Sequence, residues 1–183
     1  MIITVADLER EPIEFDVALP PDSIDFGSDI RQLGDLAVEG RADVVHEHRG
    51  HRETVADIRL RAAYDGRFEL LCARCLDPVE HPLKGKFDLI FRPIGVDAGG
   101  AEHSISTSET ELGYYQEGSL VVEDVLREQV LLSLPARTLC KQDCKGLCPR
   151  CGHNLNSESC TCDEVPLSPQ WNALSELRSR LKP

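Results

Sequence analysis

The sequence predicts an α+β fold: an antiparallel β-sheet or partly open barrel with a packed helix and a C-terminal cysteine-rich zinc-knuckle segment. Three observations carry this. Apolar and polar residues alternate with period two through much of the first ninety positions. One apolar run with helical spacing follows near residues 119–134. Six of the eight cysteines then crowd into residues 140–162.

Ile13, Phe15, Val17 and Leu19 alternate with Glu14, Asp16 and Ala18, the pattern of a half-buried strand. Leu36, Val38, Ala42 and Val44 keep that period around Gly40, which reads as a bulge or turn. Ala56, Ile58, Leu60, Ala62 and Tyr64 face one way, with Asp57, Arg59 and Arg61 opposite. Asp65-Gly66 predicts a two-residue hairpin turn, because both positions tolerate the positive φ of a type I′ turn. The return strand would carry Phe68, Leu70 and Cys72, and Phe87, Leu89 and Phe91 mark another before Pro93.

Residues 94–118 are rich in Gly, Ser, Thr and Glu without an apolar period, which predicts a mobile loop. A helix should start at Ser119 as N-cap and end near Leu134, where Pro135 stops it. Val121, Val122, Val125, Leu126, Val130 and Leu132 cover more than one narrow stripe, so this helix should be buried against the sheet. A last helix is predicted from Ser168, with Pro169 at its first position and Trp171, Leu174, Leu177 and Leu181 on one face. Arg178, Arg180 and Lys182 sit at its C-terminal end, where the helix dipole favours cations. Two units result: an acidic β-rich domain over 1–136, with the loop 94–118 and the helix 119–134, and a zinc-knuckle segment with the C-terminal helix over 137–183.

Composition narrows the function classes. A hydrophobic fraction of 41% supports a core without staples, and 5% aromatic residues imply one built from Leu, Val, Ile and Ala. Asp7 and Glu9 stand where a signal peptide would be apolar, and no window approaches the ~20 apolar residues of a membrane span. The expectation is a cytoplasmic protein with no membrane partner, in a compartment that keeps thiols reduced. The net charge of -12 argues against a general nucleic-acid binder. It is unevenly spread, however. Residues 1–136 hold 13 Lys+Arg against 27 Asp+Glu, and residues 137–183 hold 7 against 5. The first part should attract basic proteins, and the tail is where nucleic acid would be met.

Eight cysteines in a reducing compartment point to metal. They fall into four pairs: Cys72/Cys75, Cys140/Cys144, Cys148/Cys151 and Cys160/Cys162. Structural zinc takes four tetrahedral ligands, usually as two local pairs, and a C-x2-C turn lets both thiolates reach one ion. In Cys148-Pro149-Arg150-Cys151-Gly152, Pro149 stiffens the turn and Gly152 lets the backbone fold back toward sulfur. The preferred partition puts Cys148, Cys151, Cys160 and Cys162 around one zinc ion and Cys72, Cys75, Cys140 and Cys144 around another. A single zinc site joining Cys72/Cys75 to Cys148/Cys151 competes with it.

Other chemistry fits less well. A redox C-x2-C belongs at a helix start in a βαβ context, whereas Cys72 ends a strand and Leu76-Asp77-Pro78 makes another turn. Four-thiolate iron has the same donor set as zinc. His46, His48 and His51 read as a solvated polar stretch, His103 falls in the loop, and His81 and His153 lie near knuckles already supplied with cysteine. There is no nucleophile–base pair and no phosphate-cradling glycine loop, so nothing in the sequence points to an enzyme.

The order Cys72-Ala73-Arg74-Cys75-Leu76-Asp77-Pro78, then Leu134-Pro135, then Cys144-Lys145-Gly146-Leu147-Cys148-Pro149-Arg150-Cys151-Gly152-His153-Asn154-Leu155-Asn156 resembles the YceD family, the large ribosomal RNA subunit accumulation proteins. The likeness runs from about residue 13 to the C-terminus, and the double knuckle with Asn154 and Asn156 is its most specific part. It implies a bacterial ribosome-biogenesis factor that supports accumulation of large-subunit ribosomal RNA. Some members of the family keep the first C-x2-C while losing later cysteines. Where the family tail tends toward Asp-Pro-Arg, this chain has Ser168-Pro169-Gln170.

The leading expectation is therefore a non-enzymatic assembly factor whose partner is the large ribosomal subunit precursor. Zinc would hold the knuckles on the β-domain, with Lys141, Lys145, Arg150 and His153 as candidate RNA contacts. Two alternatives compete: an acidic module that captures a basic ribosomal protein, and a thiol redox or iron electron-transfer protein.

Overall fold

The computed structural model describes residues 1–49, 53–96 and 112–162. In chain order these form β1 (Ile2–Thr4), α1 (Val5–Leu8), β2 (Ile13–Leu19), β3 (Ile30–Gln32), β4 (Leu36–Arg49), β5 (Glu53–Leu71), β6 (Pro78–Pro93), β7 (Leu112–Tyr115), β8 (Ser119–Val121) and α2 (Val122–Ser133). Among the described residues the expected α+β class holds as mostly sheet with one substantial helix. The main sheet is open, not a closed barrel, with order β2-β4-β5-β6-β7 and β3 also paired to β5. Its pairs are antiparallel except β6–β7, which is parallel. β1 and β8 form a separate antiparallel pair.

Alternation along β5 decides where the core sits. Ile58, Leu60, Ala62, Tyr64, Phe68 and Leu70 are buried on one face, while Arg59, Arg61, Asp65 and Arg67 point away from it. Ion pairs lace that outer face, among them Arg61–Asp43 at 2.6 Å and Arg59–Asp88 at 2.6 Å. The Asp88 carboxyl is held below its ordinary range by the Arg59 hydrogen bond. α2 covers the inner face through buried Val122, Val125, Leu126 and Val130. Each such side chain contributes about 1.5–3 kcal/mol when fully buried. The Tyr64 hydroxyl fixes the docking, donating to the Gln129 carbonyl at 3.2 Å and lying 2.7 Å from the Ser133 hydroxyl. Phe26 packs edge-on against Phe68, with ring centroids 5.2 Å apart.

Several sequence expectations are corrected. Asp65-Gly66 is not a turn: β5 runs straight through it, with Asp65 opposite Ala37 and Lys84 and Gly66 opposite Leu83. A Cβ on Gly66 would lie 2.8 Å from Leu36, so the glycine serves close packing, not reversal. Gly40 likewise lies inside β4, neither bulge nor turn, opposite Phe15 and Ala62. The tight two-residue turn falls at Glu117 and Gly118, with φ of 51° and 69°, bridging Gln116 to Ser119.

Ser119 is consequently not a helix cap but the first residue of β8. α2 starts three residues later, and its first amide, on Val122, donates to the Met1 carbonyl at 3.1 Å. A long-range strand contact replaces the side-chain cap. Leu132, expected on the apolar surface, is 73% exposed, so the buried stripe is narrower than the sequence suggests. The loop expected over 94–118 ends in strand, since β7 lies inside it, and residues 97–111 lie outside the described residues. The helix expected from Ser168 also lies outside them. Among the described residues no helix is long and apolar enough to cross a membrane.

Candidate metal centre

β5 ends at Leu71 and β6 begins at Pro78, so residues 72–77 form a turn at the end of the sheet. The Cys72 amide donates to the Asp77 carbonyl at 2.9 Å, and the Leu76 amide returns to the Cys72 carbonyl at 2.9 Å. Leu76 takes the left-handed conformation, φ 63°, that this loop demands. The second C-x2-C repeats the design. The Cys148 amide donates to the His153 carbonyl at 2.8 Å, and Gly152, φ 74°, donates to the Cys148 carbonyl at 2.9 Å. Gly152 and Leu76 occupy equivalent places in two copies of one knuckle.

The eight cysteines gather into two groups. Cys72, Cys75, Cys140 and Cys144 form one, and Cys148, Cys151, Cys160 and Cys162 the other, with the sulfurs of each group within 4.8 Å of one another. The sulfurs are grouped as in the partition preferred from the spacing, one of three ways to combine the four pairs into two sites. In the first group Cys72 Sγ lies 3.8 Å from Cys144 Sγ, and Cys75 Sγ lies 3.5 Å from Cys140 Sγ. Four thiolates around a tetrahedral ion at ~2.3 Å stand about 3.8 Å apart. The donor set and the spacing therefore fit a four-thiolate metal ion, and both clusters could hold one. Cys72, Cys75 and Cys144 are buried and packed by Val79, Leu139 and Leu147.

The local field favours thiolate at chosen sulfurs. Burial pushes Cys72 up, but backbone amides at Cys140, Cys75 and Arg74 outweigh it and bring the thiol to about 6. Backbone amides at Cys151 and Arg150 hold Cys148 at about 6. Cys75 is raised, chiefly by burial. Cys162 is pushed up to about 12, first by its hydrogen bond with Cys151.

A polar network joins the two knuckles. The Asn154 amide donates to Asp77 Oδ2 at 2.8 Å, and Asn154 Oδ1 accepts from the Asn156 amide at 2.9 Å. Asn156 Nδ2 lies 3.3 Å from Cys144 Sγ. Arg74 bridges from the other side, donating to the Cys144 carbonyl at 2.7 Å. Gly146, φ 77°, lets the backbone pass Arg74, where a Cβ would meet the Arg74 carbonyl at 3.0 Å. Asp77, Arg74 and Gly146 were not singled out from sequence as functional. The signal was present as the closely spaced Asn154 and Asn156, which suit turns that bond their own backbone.

The candidate RNA contacts Lys141, Lys145, Arg150 and His153 are all exposed along this segment. The Lys145 amide donates to Asn156 Oδ1 at 2.9 Å, which fixes its backbone, and His153 Nε2 lies 3.7 Å from Glu158 Oε2. His46 and His48 lie on β4 and His81 on β6, none of them in either cysteine group.

The profile of the family described as "Large ribosomal RNA subunit accumulation protein YceD" matches residues 60–178, more than half of the chain. The chain belongs to the YceD family. That places it among proteins named for accumulation of large-subunit ribosomal RNA, a name that describes no catalysed reaction. An uncharacterized protein of Mycobacterium tuberculosis is 33% identical over 106 residues, covering 58% of this chain and 48% of the relative. The chain thus spans about half the length of the mycobacterial relatives it matches. The YlbN protein of Bacillus subtilis, also uncharacterized, is 21% identical over 96% of this chain and 94% of its own. A chloroplastic Arabidopsis thaliana protein, large ribosomal RNA subunit accumulation protein YCED homolog 1, is 32% identical over 57 residues, 31% of this chain and 18% of the relative. No solved structure matches.

Proposed function

We propose that this YceD-family chain is a non-enzymatic, cytoplasmic factor in large-subunit assembly, whose knuckle segment is fixed by zinc and contacts precursor ribosomal RNA. The observation that carries the reading is the pair of four-cysteine groups in the same stretch of chain as exposed Lys141, Lys145, Arg150 and His153. Bound zinc supplies cross-links there: it would tie the sheet end at Cys72 and Cys75 to Cys140 and Cys144, and close the second knuckle on itself. Cations held on a fixed backbone lose less freedom on meeting phosphate than cations on a loose tail. The test is complementation of a strain lacking the protein. Wild type restores large-subunit ribosomal RNA, and the Lys141→Ala/Lys145→Ala/Arg150→Ala variant, folded and metal-loaded, restores much less. Full restoration by that variant would refute the contact.

The acidity of residues 1–136 favours a second role, capture of a basic ribosomal protein. Salt-sensitive pull-down of such a protein from RNA-free extract supports it, and retention insensitive to salt opposes it.

A further inference from the structure

The two cysteine groups are built to different standards. In the first, Cys72, Cys75 and Cys144 are buried and Cys140 is the exposed member; in the second, Cys148 is buried, Cys160 half-buried, and Cys151 and Cys162 exposed. The first joins residues 65 or more positions apart, and the Asn156 amide is aimed at one of its sulfurs. The second lies wholly within residues 148–162. Opening the first would remove the sulfur cross-links between the sheet end and the segment after α2. Opening the second would release one short loop.

The second knuckle's foot is also held independently of its own cysteines. Leu147 bridges to Asn154, the Leu155 amide donates to the Gly146 carbonyl at 2.9 Å, and Asn154 donates to Asp77. Its loss of metal therefore need not propagate into the first group.

We infer that the first group is a permanent structural site and the second an exchangeable, peroxide-sensitive one. With a divalent ion in place, two peroxide molecules take four electrons from the four thiolates. Two disulfides form within the group, the ion leaves, and four hydroxide ions result. All four sulfurs already lie within 4.8 Å of one another, so the bonds need little movement. Arg150 and His153 lie in the loop so freed, whereas Lys141 and Lys145 stay with the first group. Peroxide would thus weaken RNA contact in part, a consequence that rests on the function proposed above.

The experiment treats the full metal-loaded chain with hydrogen peroxide, follows released metal with a chromogenic chelator, and maps unmodified cysteines by alkylation and mass spectrometry. One equivalent should leave at least about tenfold faster than the other, matching the lower end of what outer-shell partners contribute to metal affinity. Cys148, Cys151, Cys160 and Cys162 should resist alkylation first. Cys160→Ser/Cys162→Ser should lose the fast phase and keep the slow one. Release of both ions in one phase, earlier oxidation of Cys72, Cys75, Cys140 and Cys144, or binding of a single ion would overturn the inference. Binding of a large-subunit RNA fragment is measured in parallel. Unchanged affinity after fast release would refute contact through Arg150 and His153 while leaving the exchangeable site standing.

Discussion

The Asn156 side-chain amide points at Cys144 Sγ from 3.3 Å, while its carbonyl oxygen accepts from the Lys145 amide at 2.9 Å. One residue of the second knuckle thereby supports a sulfur of the first group and positions a candidate RNA contact. Outer-shell groups of this kind are worth about 10–100-fold in metal affinity. Asn156→Ala should weaken the first site by that factor in competition with a graded chelator. Asn156→Asp should weaken it more, because a carboxylate cannot donate and adds like charge beside thiolates.

Gly146 is the backbone crossing between the knuckles. Its left-handed φ alone costs a substituted residue about 1–2 kcal/mol. The contact with the Arg74 carbonyl adds to this, so Gly146→Ala should lower denaturant stability by at least that amount. Leu76, at the place in the first knuckle that Gly152 holds in the second, also has a left-handed φ but is 57% exposed. Leu76→Gly should be near neutral, because relief of the left-handed strain is offset by about 0.5–1 kcal/mol of glycine's greater freedom when unfolded.

Tyr115 offers a pH test on the β-domain. Its hydroxyl donates to the Ala56 carbonyl at 2.6 Å, and burial, with the Asp57 charge, raises the phenol above its usual 10.0. The folded state holds this proton more tightly than the unfolded chain. The contribution is present below pH 10 and is lost as pH rises through the folded value. Tyr115→Phe should cost about 1–3 kcal/mol at neutral pH by leaving the carbonyl unmet. It should also lose part of wild type's alkaline decline, as read by urea unfolding at a series of pH values.

Sheet and knuckle were legible in the sequence for local reasons. The alternation of Ile13–Leu19 and of Ala56–Tyr64 reports a half-buried face directly, and the C-x2-C turns carry their own geometry. The false turn at Asp65-Gly66 shows where local reading fails. A two-residue hairpin would put Arg67 and Glu69, not Phe68 and Leu70, on the face of Tyr64. The apolar phase in fact continues unbroken across Asp65, as an uninterrupted strand requires. The start of α2 was illegible for a different reason, because its first amide is satisfied by Met1, far away in sequence. The Asp77–Asn154–Asn156 network likewise exists only once two distant turns meet.

Elemental analysis of protein purified without chelators, beside a thiol count on the native chain, tests most directly whether the eight cysteines hold zinc. Two zinc ions per chain are expected, with no thiol that reacts before the metal is released. A metal-free chain with eight reactive thiols, or one with its cysteines in disulfides, would contradict this.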